Sequence, residues 1–211
     1  MSFLCSFLTL GMYFSICVGD GRAARTEKQI SWLLTLASSV MCTLISLPHI
    51  YQFFRSGWDM QQISADSPLH TALTCFFITY LILDLGLGLI YYASRVTLAT
   101  GWIHHTLYTA VLFWLMRCRS SSFFTTNAIL ELPTVILAVG AIYPRWRCDW
   151  LFATAFFFLR IIYHMALIYM LKYHHRLTHL WIVALIILPL HLYWFCGIVR
   201  CLLQKGKKPH P

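Results

Sequence analysis

Charge is scarce in this chain: Lys, Arg, Asp and Glu make up 11% of 211 residues, and only seven residues are acidic. A water-facing domain needs far more, so a soluble globular protein is excluded. The eight cysteines form no C-x-x-C pair and mostly lie in apolar runs, which leaves a zinc cluster without support. Low-complexity stretches and internal repeats are absent as well. What fills the chain is hydrocarbon, 59% apolar and 16% aromatic residues with mean hydropathy +0.69. Several runs reach the roughly 20 residues that cross a bilayer, so the composition reads as an all-α, multi-pass membrane protein.

Hydrophobic runs predict seven helices, at about 2–18, 30–54, 72–93, 99–116, 122–143, 150–173 and 180–203. Loop-like stretches such as "GDGRAARTEKQ", "RSGWDMQQISADSPLH" and "PRWRCDW" separate them. This divides the chain into an N-terminal anchor and basic loop (1–27), a six-helix membrane domain (28–203) and a basic tail (204–211). The formal charge of +9 does not signal nucleic acid, because the basic residues are scattered singly between apolar runs. They act as topology signals. With the first run retained as a helix, one face collects ten Lys and Arg and the other five, with Arg160 inside a helix. That bias predicts a cytosolic C-terminus, and removal of the first segment as a signal peptide would leave six helices in the same orientation.

The chemistry-bearing residues are the ionisable ones inside the apolar runs: Asp84, the adjacent His104 and His105 of "GWIHHTLYTAVLF", Glu131, Arg160, His164 and His191. Hydrocarbon offers them no hydrogen-bond partner, so they must face protein, water or a ligand. At about 1.5 Å of rise per residue, Asp84, His105, Glu131 and Arg160 lie roughly 9–18 Å from one face, in one overlapping layer. Polar stripes at helical spacing continue from them: Tyr80 with Asp84, Asn127 with Glu131 and Thr134, Arg160 with His164, His104 with Tyr108. A second helix adds Thr35, Ser38, Cys42, Ser46 and His49. Such stripes line either a cavity or a packed polar interface. Pro133 removes one backbone donor beside Glu131 and frees a carbonyl there. Of the imidazole pair, His105 is expected to face the cavity.

In order, "FFITYLILDLGL", "IHHTLYTAVLF", "NAILELPTVIL", "FFFLRIIYH" and "LYWFCGIVRCLLQKGKK" resemble the TLC-domain membrane proteins, over roughly residues 28–208. The resemblance implies six helices around a long cavity, an additional N-terminal helix, and residence in the endoplasmic reticulum membrane. It further implies membrane lipid metabolism or homeostasis, with an acyl-chain or sphingoid-like lipid as partner and no permanently bound cofactor. In the family's ceramide synthases the His pair belongs to an acyl-transfer site, which implies catalytic roles for His104 and His105, with Asp84 orienting an imidazole and acyl-CoA as co-substrate. Tyr80, Tyr108, Asn127, Glu131, Arg160 and His164 would line the lipid cavity. The long synthase motif is missing, and only Asp149 follows the His pair, so the chain is more similar to the shorter TLC-domain members.

Two other classes stand beside this reading. One is a non-catalytic lipid-binding regulator or a cargo or translocon component. The other is a metal-dependent lipid oxidase, for which "HHRLTH" places His175 and His179 one helical turn apart with His174 adjacent. Those three lie at the rim, away from the intramembrane layer, and are read as interfacial residues, so no metal site is assigned. Oligomeric state is not legible from the sequence.

Overall fold

The computed structural model describes residues 2–21, 24–61, 63 and 66–206. Arg22 and most of the basic tail lie outside them. Seven helical rods carry the chain: α1 (Ser2–Asp20), α2 (Glu27–Arg55), α3 (Pro68–Tyr91), α4 (His104–Arg117), α5 (Ser121–Ile142), α6 (Asp149–His174) and α7 (Leu180–Gly206). Among the described residues there is no strand. Six rods are long and apolar enough to cross a membrane; α4 has 14 residues and is lengthened at its start by a π-helical turn over Leu98–Ile103. The protein is therefore a multi-pass, all-α membrane bundle.

Local chemistry sets the boundaries that differ from the hydrophobic runs. The third helix starts at Pro68 and not near residue 72, because Ser67 caps it, its hydroxyl accepting from the His70 N–H at 3.4 Å, and proline suits the first helical position. It ends at Tyr91, since Tyr92 leaves helical geometry at φ −151° and ψ 45°. The first turn of α2 is fixed by a capping box in which Thr26 and Gln29 exchange hydrogen bonds.

Five rods and the short α4 form a ring. Helix α2 packs on α5 and on α3, α3 on α4, α5 on α6 and α6 on α7. Closure comes from Trp194 of α7, whose ring stands 5.4 Å from that of His104 on α4. Helix α1 packs outside the ring against α3, burying Leu10 and Phe14 while Leu4, Leu8, Met12 and Ile16 point outward. The outer surface is apolar, with large side chains exposed, while small polar residues such as Ser38, Ser46, Thr74 and Thr125 are buried among the hydrophobic core. These hydroxyls are satisfied by carbonyls of their own helices, as in Ser46 to Thr43 O at 2.7 Å and Thr74 to His70 O at 2.8 Å. Small polar residues thus let the rods approach closely inside a membrane, where lipid supplies no hydrophobic drive for helix association.

Two ties fix one end of the bundle, Ser94 donating to Glu27 Oε2 at 2.6 Å and Gln29 Nε2 donating to the Ile142 carbonyl at 2.9 Å. At the opposite end, Arg176 donates to the Cys118 and Arg119 carbonyls and to Ser120, closing the terminus of α4.

The segment between α3 and α4 is held by Val96, whose methyls sit where side chains at Gly88 and Gly101 would go. A Cβ at Gly88 would meet Val96 Cγ2 at 2.7 Å, and one at Gly101 would meet Val96 Cγ1 at 2.8 Å. Gly101→Ala is therefore expected to lower thermal stability by about 1–3 kcal/mol through overpacking. Adding Val96→Ala should recover a large part of the loss in a detergent melting assay; no recovery would mean that the glycine serves another purpose.

Candidate functional site

The site is built where helices depart from regular geometry. On α3, Asp84 is held by Tyr92, which turns back from beyond the helix end and donates to Asp84 Oδ1 at 2.8 Å. Burial and the neighbouring Asp84 carboxylate push the Tyr92 phenol up, so it remains a donor. Facing them is His105, placed by the π-helical turn that precedes α4. Its Nδ1 is 2.9 Å from the Gly101 carbonyl, and a carbonyl only accepts, so the hydrogen is on Nδ1. Its Nε2 stands 3.2 Å from Asp84 Oδ2, too bent for an aligned hydrogen bond but within ion-pair reach.

His104 differs from its neighbour. Its ring packs 4.4 Å from that of Tyr108 and 5.4 Å from Trp194, and its buried Nδ1 has no hydrogen-bond partner among the described residues. Both imidazoles line the cavity, but His105 is engaged by Gly101 and Asp84, so His104 carries the unengaged nitrogen. His105 lines the cavity as expected and His104 lines it too, so the two differ in what holds each ring. The reason is local: Gly101 lies one turn before His105 and captures its ring, a contact that depends on the turn preceding α4.

The second cluster centres on Arg160, which lies in a π-helical stretch of α6, Phe157–Tyr163. Its Nε donates to the Leu130 carbonyl at 2.9 Å, and one terminal nitrogen donates to Glu131 Oε1 at 2.9 Å and to Thr134 Oγ1 at 3.0 Å. The other lies 3.4 Å from His191 Nε2. Helix α5 offers that carbonyl because it narrows to a 3-10 turn over Ala128–Glu131 immediately before Pro133, which supplies no N–H. His191 contacts His164 in turn, Nδ1 to Nδ1 at 2.9 Å.

A cavity of about 680 Å³ joins the two clusters, within the range of small-molecule sites. Asp84, His104, His105, Glu131 and Arg160 line it, together with Tyr80 and apolar walls from Phe77, Phe152 and Trp194. The intramembrane layer is thus shared as a cavity wall yet divided into two separate pairs, Asp84 with His105 and Arg160 with Glu131. A smaller apolar chamber of about 100 Å³ lies beyond, sharing Phe77, Glu131 and Arg160 with the first. Tyr108, Asn127 and His164 line this chamber. Asn127 is occupied there, its oxygen accepting from Tyr163 at 2.7 Å and its amide donating to Phe123 O. Tyr80 lines the main cavity and shares a 3.2 Å hydrogen bond with Thr35.

Several site residues escape sequence reasoning. Tyr92 sits within a run that reads as helix, and nothing in that run marks the return of its phenol to Asp84. Trp194 looks like another lipid-facing aromatic, while Lys28 and Arg95, also on the cavity wall, look like topology charges. The polar spacing of Thr35 with Ser38 is the one signal that points to the α2 wall. Among the described residues no group of three or more His, Cys, Asp or Glu is placed to hold a metal ion. In "HHRLTH", His175 is buried and its Nδ1 accepts from the Leu177 N–H at 3.1 Å, an arrangement internal to the loop.

Fold and site together define a multi-pass helical membrane protein with a polar cavity enclosed by its helices. No family model, curated protein or solved structure matches the chain.

Because Arg160 is the cation that Glu131 contacts, Arg160→Leu should leave a buried carboxylate unpaired and cost about 3–5 kcal/mol. Adding Glu131→Gln removes the orphaned charge and should restore much of the melting temperature in detergent. Equal stability of wild type and Arg160→Leu would show that the pair does not hold the bundle together.

Proposed function

We propose that the protein handles an acyl-chain lipid within its helical bundle and acts in membrane lipid metabolism or homeostasis, in the manner of the TLC-domain proteins it resembles. The observation that carries this reading is the buried, unpartnered Nδ1 of His104, on a residue that lines a cavity of about 680 Å³ where Asp84 and His105, and Arg160 and Glu131, are already paired. An imidazole with a bare nitrogen in a site that limits water is suited to proton transfer. With acyl-CoA as donor, His104 would take the proton from a lipid amine or alcohol as that group attacks the thioester carbonyl. The new C–N or C–O bond forms, the C–S bond breaks, and the proton passes to the departing thiolate. His105 and Asp84 act as a fixed platform that holds the start of α4, with Tyr92 as the outer support. Arg160 and Glu131 close the wall opposite. Residence in the endoplasmic reticulum follows from the resemblance, and a cytosolic C-terminus fits the distribution of basic residues.

His104→Ala should abolish turnover at unchanged protein abundance and lipid occupancy, because catalysis needs the nitrogen lone pair and the fold does not. His105→Ala should reduce both activity and thermal stability, since it strips Asp84 of its ring partner. Whole-cell lipid profiles from a deletion strain expressing each variant at equal abundance provide the measurement. If His104→Ala restores the wild-type profile, catalysis is lost as an explanation, and the non-catalytic lipid-binding or translocon-associated role replaces it. The orientation is checked independently: a tag after Pro211 should be accessible from the cytosol in selectively permeabilised cells, and protection of that tag would reverse it.

A further inference from the structure

We infer that the cavity takes an acyl amphiphile with a phosphate headgroup, seated between Lys28 and Arg95 at the mouth. This rests on the lipid-handling reading above and names the class of lipid. Both side chains line the cavity and both are exposed at the end of the bundle where α2 begins and α3 finishes. They are carried by short turns whose positions are fixed. Lys28 lies in the turn capped by Thr26, and Arg95 ends the turn Ala93–Arg95 that Val96 packs against Gly88 and Gly101. The hydrogen bond from Ser94 to Glu27 at 2.6 Å ties one turn to the other, which brings the residues that follow them, Arg95 and Lys28, to one rim.

Charge and satisfaction then choose the ligand. Among the described residues neither Lys28 nor Arg95 holds a salt bridge or a side-chain hydrogen bond. The two carboxylates of the cavity wall are engaged deeper, Asp84 by Tyr92 and His105, Glu131 by Arg160. The lining thus counts three Lys or Arg against two Asp or Glu, and at the mouth Lys28 and Arg95 outnumber Glu27, whose carboxylate accepts from Ser94. A sphingoid-type ammonium would be repelled there. A neutral glycerol or amide headgroup would leave both cations without a partner. A phosphate meets the planar fork of Arg95 with two oxygens and the point charge of Lys28 with a third. Phe77 and Trp194 then offer the hydrocarbon an apolar wall further in.

The test compares binding of lysophosphatidate, the monoacylglycerol of the same chain, and inorganic phosphate to the full-length protein in a neutral detergent. Lysophosphatidate should bind roughly tenfold or more tightly than monoacylglycerol, the scale of two charge-assisted contacts. Lys28→Gln with Arg95→Gln should abolish that difference while leaving monoacylglycerol binding unchanged, and Lys28→Arg should keep it. Failure of inorganic phosphate to compete at matched concentration assigns the phosphate to a lipid; full competition would overturn the lipid source and leave a free-phosphate site. Equal affinity of the wild type for the two lipids would overturn the headgroup assignment and spare the cavity reading. Binding of neither lipid would remove both.

Discussion

A guanidinium placed midway along a membrane helix must find its partners in protein, because the surrounding hydrocarbon has none to offer. Inserting such a charge costs about 2.5–3.5 kcal/mol even on the most permissive scales. Arg160 meets that demand with the Leu130 carbonyl, Glu131, Thr134 and His191, and so joins α6 to α5 and reaches α7. The rest of the site follows from this constraint. Helix α5 has to present a carbonyl sideways, which regular helical bonding would not allow, and the 3-10 turn ahead of Pro133 makes it possible. The cavity wall on that side exists because a charged side chain has been satisfied there and the neighbouring rods cannot close over it.

The opposite wall solves a different problem by similar means. A single carboxylate, Asp84, is shared by a phenol from beyond its own helix and an imidazole from the next one. This arrangement immobilises His105 and leaves His104 unengaged, so two adjacent residues of one type acquire different roles. Adjacent positions on a helix point about 100° apart, and here that rotation separates a ring that faces Asp84 from one that faces Tyr108 and Trp194.

Much of this is legible in the sequence, and for physical reasons. Hydrophobic runs locate all seven helices, six of them long enough to cross a membrane. The same reasoning locates Asp84, Glu131 and Arg160, because charges in apolar runs stand out whatever the fold. Their pairing could not be read, as four charged or titratable groups at similar depth permit several partners and the choice depends on helix rotation. Tyr92 was hidden for the opposite reason: an aromatic residue at the end of an apolar run gives no sign that its hydroxyl folds back. The end of α3 at Tyr91 and the start at Pro68 depend on caps and turns of a few residues, where hydropathy carries little information. The sequence points to His105 as facing the cavity, but the hold that Gly101 and Asp84 have on its ring depends on the turn before α4, which periodicity does not show.

That turn has its own consequence. Both π-helical stretches, Leu98–Ile103 before the imidazole pair and Phe157–Tyr163 around Arg160, behave as one-residue insertions in helices that would otherwise run in regular phase. Were either stretch to relax into an ordinary α-helix with every residue kept, hydrophobic length would change little, yet everything downstream would rotate by about 100°. The membrane span would survive while Asp84 and Glu131 faced the wrong side chains. Reading frame along the helix, more than the identity of the charged residues, is what keeps this interior chemically addressed.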